Sequence, residues 1–429
     1  MLDRWFALAD NGTTARREVL AGATTFLTMA YIIFVNPAML AETGMDRGAV
    51  FVATCLAAAI GSLIMGLLAN YPIALAPGMG MNAFFAYTVV IGMGHSWQVA
   101  LGCVFLSGAL FVALSLFKVR EWVIDAVPVS MRMSIAAGIG LLLGFIALTN
   151  AGIVVAHPST FLTLGKLGAP GALLAALGFL TILALDARRV PGAVMIGILA
   201  VTFLAMAAGL TPWGGLAAMP PAIAPTLFAM DVMGALRPDL IAVIFAMLFM
   251  DVFDTAGSLI GTGQAAGLLD RHGKLPRIGR ALLADSAATV VGAALGTSNT
   301  TSYIESLSGI RAGGRTGLTA VAAAGCFLLA LFLAPLAGAV PAYATAAALF
   351  YVACVMAKSL AALDWDDITE YGPAMVAAIS IPLTFSIATG IGLAFISYAS
   401  VKLVAGRAAH VGIATWVIAA AFALKFAVM

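Results

Sequence analysis

The stretch GAALGTSNTTSYIES, Gly292 to Ser306, lies where the hydropathy of the chain predicts a membrane crossing. It carries six Thr and Ser hydroxyls, an amide, a phenol and, at Glu305, a carboxylate. In hydrocarbon each polar group without a hydrogen-bond partner costs several kcal/mol. So much polarity at membrane depth therefore predicts a central polar site lined by this stretch.

The composition restricts the class of protein. Of 429 residues, 63% are hydrophobic and 9% charged, and the mean hydropathy is +1.09, whereas a soluble chain carries about 25% charged residues. We therefore predict a polytopic membrane protein embedded in a lipid bilayer. The net charge of +2 gives no broad basic surface for nucleic acid.

Neither metal nor cofactor chemistry is indicated. The four cysteines lie inside apolar runs without CxxC or Cys/His spacing, which is typical of small packing residues. The four histidines fall in predicted loops or span ends, away from the membrane acids. GTGQAAG follows a membrane helix rather than a strand, so it is a weak nucleotide-loop signal. The sequence predicts no cofactor and no enzyme.

A helix needs about 20 mainly apolar residues to cross the bilayer. Candidate spans in the first half are 20–40, 49–69, 97–117, 133–151, 170–186 and 191–209. Those in the second half are 240–262, 280–297, 317–335, 341–358, 371–388, 389–405 and 411–428. Two segments are too short or too polar to span as plain helices, 77–91 and 299–311.

Each short segment is the third hydrophobic unit of its half. Interrupted segments at matching places indicate an internal repeat with the binding site at its centre. Seven spans per half is an odd number, so the second copy must be inverted. We predict an all-α fold of fourteen segments, with two half-helices in segments 3 and 10 and two short strands pairing at the centre.

Charge placement orients the chain. A cytoplasmic lead, residues 1–18, ends near Arg16 and Arg17, and alternation then places the other basic clusters inside. These are Lys118, Arg120, Arg132, Arg188, Arg189, Arg271, Lys274, Arg277, Arg280, Arg311 and Arg315. The loop 152–169 and the Pro-rich linker 210–238 fall outside. Residues 371–428 hold three apolar runs where fourteen segments need two, and the sequence does not choose between them.

Acids in apolar spans are costly and therefore often functional. In FMDVFDTAGSLIGTG, Asp251, Asp254 or Thr255, Ser258 and Thr262 recur at helical spacing, which predicts one polar stripe. Asp285 lies on a glycine-rich face, and functional and structural roles are equally open for it.

Both interrupted segments predict helices that begin inside the membrane. Such a helix leaves up to about four N–H donors free and carries about half a positive charge at its start. APGMGMN opens one half-helix and TSNTT the other, which places Glu305 about one and a half turns into the second. Nearby aromatics suit a flat ligand or simple packing, namely Phe84, Phe85, Tyr87, Tyr303 and Phe253.

At these residues the sequence resembles the AzgA-like purine permeases of the nucleobase–ascorbate/nucleobase–cation symporter group. The similarity covers about residues 10–405 and rests on five ordered motifs. They are TTFLTMAYIIFVNP, ALAPGMGMNAFFAY, MDVFDTAGSLIGTG, ADSAATVVGAALGTSNTTSYIES and GGRTGLTAV.

The resemblance implies two domains that move against each other in an elevator mechanism. Segments 1–4 and 8–11, residues 19–117 and 239–338, form the core; segments 5–7 and 12–14, residues 118–209 and 339–429, form the gate. It also implies proton-coupled import of adenine, guanine or hypoxanthine across the bacterial inner membrane, and homodimers. A pyrimidine, xanthine or urate, an anion, or Na⁺ coupling are the alternatives on the same architecture.

Motif positions transfer the family's binding residues. The acid of segment 8 is Asp254, with Asp251 as its rival, and the glutamate of segment 10 is Glu305. We expect both carboxylates to accept hydrogen bonds from the purine, the N–H groups after Gly78 and Thr300 to donate to it, and Phe84 or Tyr303 to stack on it. The remaining predicted contacts are Thr28, Gly80, Asn82, Thr300 and Thr301. The transported proton is expected on Asp254, Asp285 or Glu305.

Overall fold

A computed structural model describes residues 2–116, 128–268 and 275–428. The predicted boundary between the first core and gate parts, at 117–118, lies outside the described residues, as do Lys118, Arg120, Arg271 and Lys274. Within the described ranges the chain is mostly helical, as the composition predicts.

The described residues of the first half contain nine helices. They are α1 (Leu2–Phe6), α2 (Ala15–Met29), α3 (Ile32–Ala41), α4 (Arg47–Ile64), α5 (Met79–Ala83), α6 (Trp97–Leu116), α7 (Val129–Asn150), α8 (Pro170–Ala187) and α9 (Ala193–Ala207). π-Helical turns extend α4 through Met65–Ala69 and α5 through Phe84–Gly92. Strand β1 is Leu75–Pro77, and β2 (Val154–His157) and β3 (Phe161–Leu164) form a hairpin.

The second half begins after the linker. Its helices are α10 (Val232–Ala235), α11 (Pro238–Ala265), α12 (Ile278–Leu295), α13 (Ser306–Arg311), α14 (Gly317–Ala330), α15 (Ala334–Ala339), α16 (Ala342–Ala357), α17 (Ile368–Thr384), α18 (Ile387–Val404) and α19 (Ile413–Val428). Short 3₁₀ turns follow α14, α16 and α18. Strand β4 is Thr300–Ser302.

Ten helices of the described residues are long and apolar enough to cross a membrane, and three shorter apolar ones accompany them. The protein is therefore a multi-pass integral membrane protein. The three apolar runs of the tail are three separate helices, α17, α18 and α19. The loop 152–169 contains the β2–β3 hairpin, which the sequence did not predict.

The predicted central strands are present. β1 and β4 pair antiparallel, with Leu75 opposite Ser302, Ala76 opposite Thr301 and Pro77 opposite Thr300. Every residue of both strands is buried. The pairing matters because backbone N–H and C=O groups at membrane depth need partners, and each strand supplies them to the other.

The surroundings of the strands repeat with two-fold symmetry. The Ser62 hydroxyl of α4 lies 2.9 Å from the backbone nitrogen and 3.2 Å from the carbonyl oxygen of Leu75. The Thr289 hydroxyl of α12 lies 3.3 Å and 3.2 Å from the same two atoms of Thr300. A two-fold axis through the middle pair carries Leu75 onto Thr300, so these contacts are equivalent. This geometry is what an inverted repeat produces.

The helices pack as two groups. The strand group, α2–α6 and α11–α15, surrounds β1 and β4: α2 packs on α13 and α14, α4 on α12 and α14, and α6 on α11 and α12. The flanking group, α7–α9 and α16–α19, is built around α7, which packs on α16, α17 and α18. The candidate site lies in the strand group, where it faces the flanking group.

A buried carboxylate joins the ends of the strand group. Glu18 of α2 is fully buried and accepts hydrogen bonds from the backbone of Arg315 and Thr316 and from the hydroxyls of Thr316 and Thr319. The carboxylate thus binds the N–H groups of the two residues that precede α14, where the helix dipole also favours a negative charge.

Candidate functional site

The predicted polar stripe of α11 runs through Thr255, and Asp254 lies on a different face of the helix. Asp251, Thr255 and Thr262 are buried. Asp254 and Gly257 are exposed. Positions three apart on a helix differ by about 60° around its axis, which is enough for a buried face and an open one to separate Asp251 from Asp254.

The two buried aspartates hold strand β4. Asp285 accepts hydrogen bonds from the Thr255 hydroxyl at 2.5 Å and from the Ser302 N–H and hydroxyl at 2.7 Å each. Asp251 accepts from the Asn299 amide at 2.6 Å and the Thr289 hydroxyl at 2.8 Å. Donors to a buried carboxylate stabilise it, so both side chains act as positioning groups for the central strand.

This arrangement predicts that Asp285→Ala destabilises the fold. Ser302 would lose the acceptor for its N–H and hydroxyl in a dry environment, at about 1–3 kcal/mol for each unsatisfied group. We expect a clearly lower thermal unfolding temperature of the purified protein in detergent.

Asp285→Asn is the matched variant, because its amide oxygen still accepts from Ser302 and its NH₂ reaches the Thr255 hydroxyl. It should unfold much closer to the parent than Asp285→Ala does. An alanine variant as stable as the parent would show that the clamp on β4 is not needed.

Glu305 is the residue before helix α13, not one and a half turns into it as predicted. Strand β4 keeps the backbone extended through Ser302, and the Tyr303 N–H bonds to Ala74 C=O at 3.0 Å, so the helix begins later, at Ser306. The carboxylate is half-buried and accepts a hydrogen bond from Tyr31 at 2.7 Å. The Thr28 hydroxyl lies 3.3 Å from the Glu305 carbonyl oxygen.

Two of the backbone donors after Thr300, the N–H groups of Ser302 and Tyr303, are already used, so these two are not available to a ligand. Ser302 N–H bonds to Asp285 and Tyr303 N–H to Ala74, and the N–H of Thr300 itself bonds to Thr289. Thr301 is buried, and its hydroxyl lies 3.0 Å from that of Thr255. Thr300 and Thr301 are both buried, and contact between these residues and a substrate stays a prediction.

The other half-helix keeps its start free. The first intrahelical bond of α5 runs from Asn82 N–H to Gly78 C=O at 2.9 Å, which leaves the N–H groups of Met79 and Gly80 ahead of it. A Cβ built on Gly80 would lie 3.4 Å from Ile139 of α7, so this start faces the flanking group. Asn82 itself is buried and bonded to Ser298.

The predicted stacking aromatics differ in their surroundings. Phe84 is fully buried within the core of the fold. Tyr303 is 6% exposed and donates its hydroxyl hydrogen to Pro77 C=O at 2.5 Å, so it joins β1 to the start of α13. Phe253 is half-buried and precedes the open Asp254. Phe253 is therefore more exposed than Phe84 and Tyr303 and adjoins an acid in the sequence.

The face of α11 that carries Asp254 is open. Gly257 and Gly261 follow Asp254 at helical spacing, and a Cβ on either would meet no atom within 4 Å. Gln264, one turn further, is exposed. Asp254 and Glu305 are electrostatic neighbours. The site is thus a pair of carboxylates, flanked by the start of α5 and open towards the end of α11.

The described residues contain no group of three His, Cys, Asp or Glu side chains arranged to hold a metal ion. Tyr31 is a residue of the site that the sequence did not predict. Its bond to Glu305 depends on the break between α2 and α3, where Tyr31 precedes Ile32.

Paired strands inside a helical membrane protein, with polar groups converging on them, define the class of solute carriers with broken helices. The Xan_ur_permease model, described as Permease family, matches residues 16–393, and the chain belongs to this family. The resemblance seen in the sequence motifs is thereby confirmed, and the chain is a transporter rather than an enzyme.

Relatives of known name are similar over nearly the whole chain. The adenine permease AdeP of Escherichia coli is 48% identical, covering 99% of this chain and 96% of that protein. The guanine/hypoxanthine permease PbuG of Bacillus subtilis is 44% identical, covering 95% of each. The transmembrane domain of the cyanobacterium bicarbonate transporter BicA has a TM-score of 0.65 at 16% identity, covers 89% of this chain and 97% of that one, and shows the fold alone.

Proposed function

We propose that the protein imports purine nucleobases, namely adenine, guanine or hypoxanthine, by H⁺ symport. The observation that carries the proposal is the pair of carboxylates, Asp254 and Glu305, at the open site of a permease-family chain. Two acceptor groups suit the ring N–H and exocyclic amine donors of a purine. The names of the relatives, adenine permease and guanine/hypoxanthine permease, agree with this substrate class.

The same acids argue against an anionic substrate. A negative solute would meet two carboxylates within electrostatic range of each other, and like charges at close range in a membrane repel strongly. The free N–H groups of α5 complement the acids by serving the ring nitrogens and carbonyl oxygens of the base.

We assign the proton to Glu305, with Asp254 as its partner, rather than to Asp285. Asp285 is fully buried, and its three donors belong to the clamp on strand β4 rather than to the open site. Glu305 has one side-chain donor, Tyr31, and is half-buried, so its surroundings change when the site closes. The proton and the base then occupy the same small space, which couples their movements.

For the motion we propose an elevator, with the strand group as core and the flanking group as gate. The chain then has fourteen membrane segments, provided that β1 with α5 counts as one segment and β4 with α13 as another. Helix α19 lies outside the repeat in this count. Two features support alternating access: the packing of the helices into two groups, and the open face of α11 beside Asp254. We place the protein in the bacterial inner membrane with its N-terminus in the cytoplasm, as a homodimer.

Uptake in cells that lack purine transport tests the proposal. We expect accumulation of radiolabelled adenine, guanine or hypoxanthine that a protonophore abolishes, and competition by purines but not by sulfate or uracil. Uptake driven by a Na⁺ gradient would show that Na⁺ rather than H⁺ is the coupling ion. Accumulation of sulfate or uracil without any purine would overturn the substrate class.

Glu305→Gln tests the assignment of the proton. Glutamine keeps an acceptor oxygen for the Tyr31 hydroxyl, but its amide does not take up a proton at physiological pH. We expect accumulation against a gradient to be lost, while exchange of internal for external purine, which needs no net proton movement, persists in part. Proton-driven accumulation as strong as in the parent would remove Glu305 from the scheme.

A further inference from the structure

One contact joins the two helix groups beside the candidate site. The guanidinium carbon of Arg132, in the first turn of α7, lies 5.7 Å from the centre of the Phe253 ring. Phe253 is on α11 of the strand group and immediately precedes Asp254. α7 is the helix around which the flanking group is built. The contact therefore crosses from one group to the other at the substrate helix.

The ring is held by its own helix. Phe249, one turn earlier on α11, stacks against Phe253 with ring centres 6.1 Å apart and planes 12° from parallel. A fixed ring presents a stable negative face, and a planar guanidinium over such a face is attracted by it. Arg132 thus contacts a rigid part of the strand group rather than a mobile side chain.

We infer that Arg132 is a positioning residue that holds the strand group in the open position of this structure. The inference rests on the proposed alternating access. Arg132 moves with α7 and Phe253 with α11, so a displacement of one group against the other lengthens the contact and removes its attraction. An interaction present in one state alone shifts the population towards that state. A cation–π contact at a partly desolvated site corresponds to a shift of about 2- to 30-fold.

A cysteine reporter measures this population directly. Gly257 lies on the open face of α11, one turn from Asp254. A Cβ at this position would meet no atom within 4 Å, so Gly257→Cys fits without strain. Cys326 and Cys354, which are partly or fully exposed, are replaced by serine, and the buried Cys55 and Cys103 are kept. The readout is the rate of labelling by a membrane-impermeant maleimide, in right-side-out and inside-out vesicles. The labelling rate that tests the inference is the one measured from the side of the membrane at which α7 begins.

In this reporter background, Arg132→Gln should shift the equilibrium between the two states by about 2- to 30-fold and lower the labelling rate from that side by at most the same factor. Phe253→Leu should have the same effect, and Arg132→Lys should restore most of the rate because the charge over the ring remains. Arg237→Gln is the matched control: Arg237 is exposed at the start of α11 and pairs with Asp239 on the surface. It should leave labelling unchanged.

Kinetics separate positioning from folding. More carriers facing the opposite side would lower the apparent KM for purine arriving from there in Arg132→Gln, whereas misfolding lowers only the maximal rate. Unchanged labelling and KM in both Arg132→Gln and Phe253→Leu would overturn the inference. Failure of the purified parent to bind radiolabelled purine would instead overturn the proposed function, and the labelling result would still decide the role of Arg132.

Discussion

Asp254→Asn is expected to raise the KM for purine uptake by about 10- to 150-fold. A hydrogen bond to a charged acceptor contributes about 1.5–3 kcal/mol, and asparagine keeps the size and one oxygen while losing the charge. Asp254 is the acid on the open face of α11, so the change removes the proposed contact with the base without disturbing strand β4. Initial rates of radiolabelled adenine or hypoxanthine uptake over a range of concentrations measure it.

Asp239→Asn is the control on the same helix. Asp239 is exposed in the first turn of α11 and takes part in a surface ion pair with Arg237, and such pairs contribute about 0–1 kcal/mol. Its uptake kinetics should match the parent. An Asp254→Asn variant with the parent's KM would show that the open carboxylate does not bind the base, and Asp251 would then be the remaining candidate on this helix.

The central architecture was predictable because local signals mark it. Proline and glycine at Pro77 and Gly78, and the hydroxyl-rich run before Tyr303, interrupt apolar segments at matching places in the two halves. Interrupted backbone at membrane depth requires partners, and two such stretches near one another supply them as strands. The β1–β4 pairing confirms that reasoning.

The partners of each acid were not predictable from periodicity. Asp251 and Asp254 differ by about 60° around α11, an angle that a stripe pattern does not resolve. What separates them is two donors that reach Asp251 alone, Asn299, which immediately precedes β4, and Thr289 of α12. These are long-range contacts, and no local spacing encodes them.

Two further features escaped for similar reasons. The position of Glu305 depends on how far strand β4 extends before α13 begins, which its pairing with β1 decides. The β2–β3 hairpin has little burial along β2 and none along β3, so the alternation of apolar and polar residues that marks a half-buried strand is missing.

The second large effect is expected at a close approach of two helices in the strand group. A Cβ added to Gly317, the first residue of α14, would lie 1.9 Å from the carbonyl oxygen of Gly66 in the π-helical extension of α4. A Cβ at Gly66 would lie 2.5 Å from the Gly317 carbonyl oxygen. Both obstacles are backbone atoms, so neither can move aside by a side-chain rotation. This is the helix approach that glycine alone permits in a membrane bundle.

Gly317→Ala should therefore force α4 and α14 apart and loosen the buried junction at Glu18, whose donors Thr316 and Thr319 flank the substitution. Overpacking of this kind costs about 1–3 kcal/mol, and more where backbone must shift. We expect a large drop in folded yield and in thermal stability, measured by fluorescence-detected size-exclusion chromatography after heating in detergent.

Gly325→Ala on the same helix is the control, because its Cβ would meet nothing within 4 Å. It should be neutral or slightly stabilising, since alanine favours a helix by about 0.5–1 kcal/mol over glycine. Equal stability of the two variants would mean that α4 and α14 are not held in this close contact.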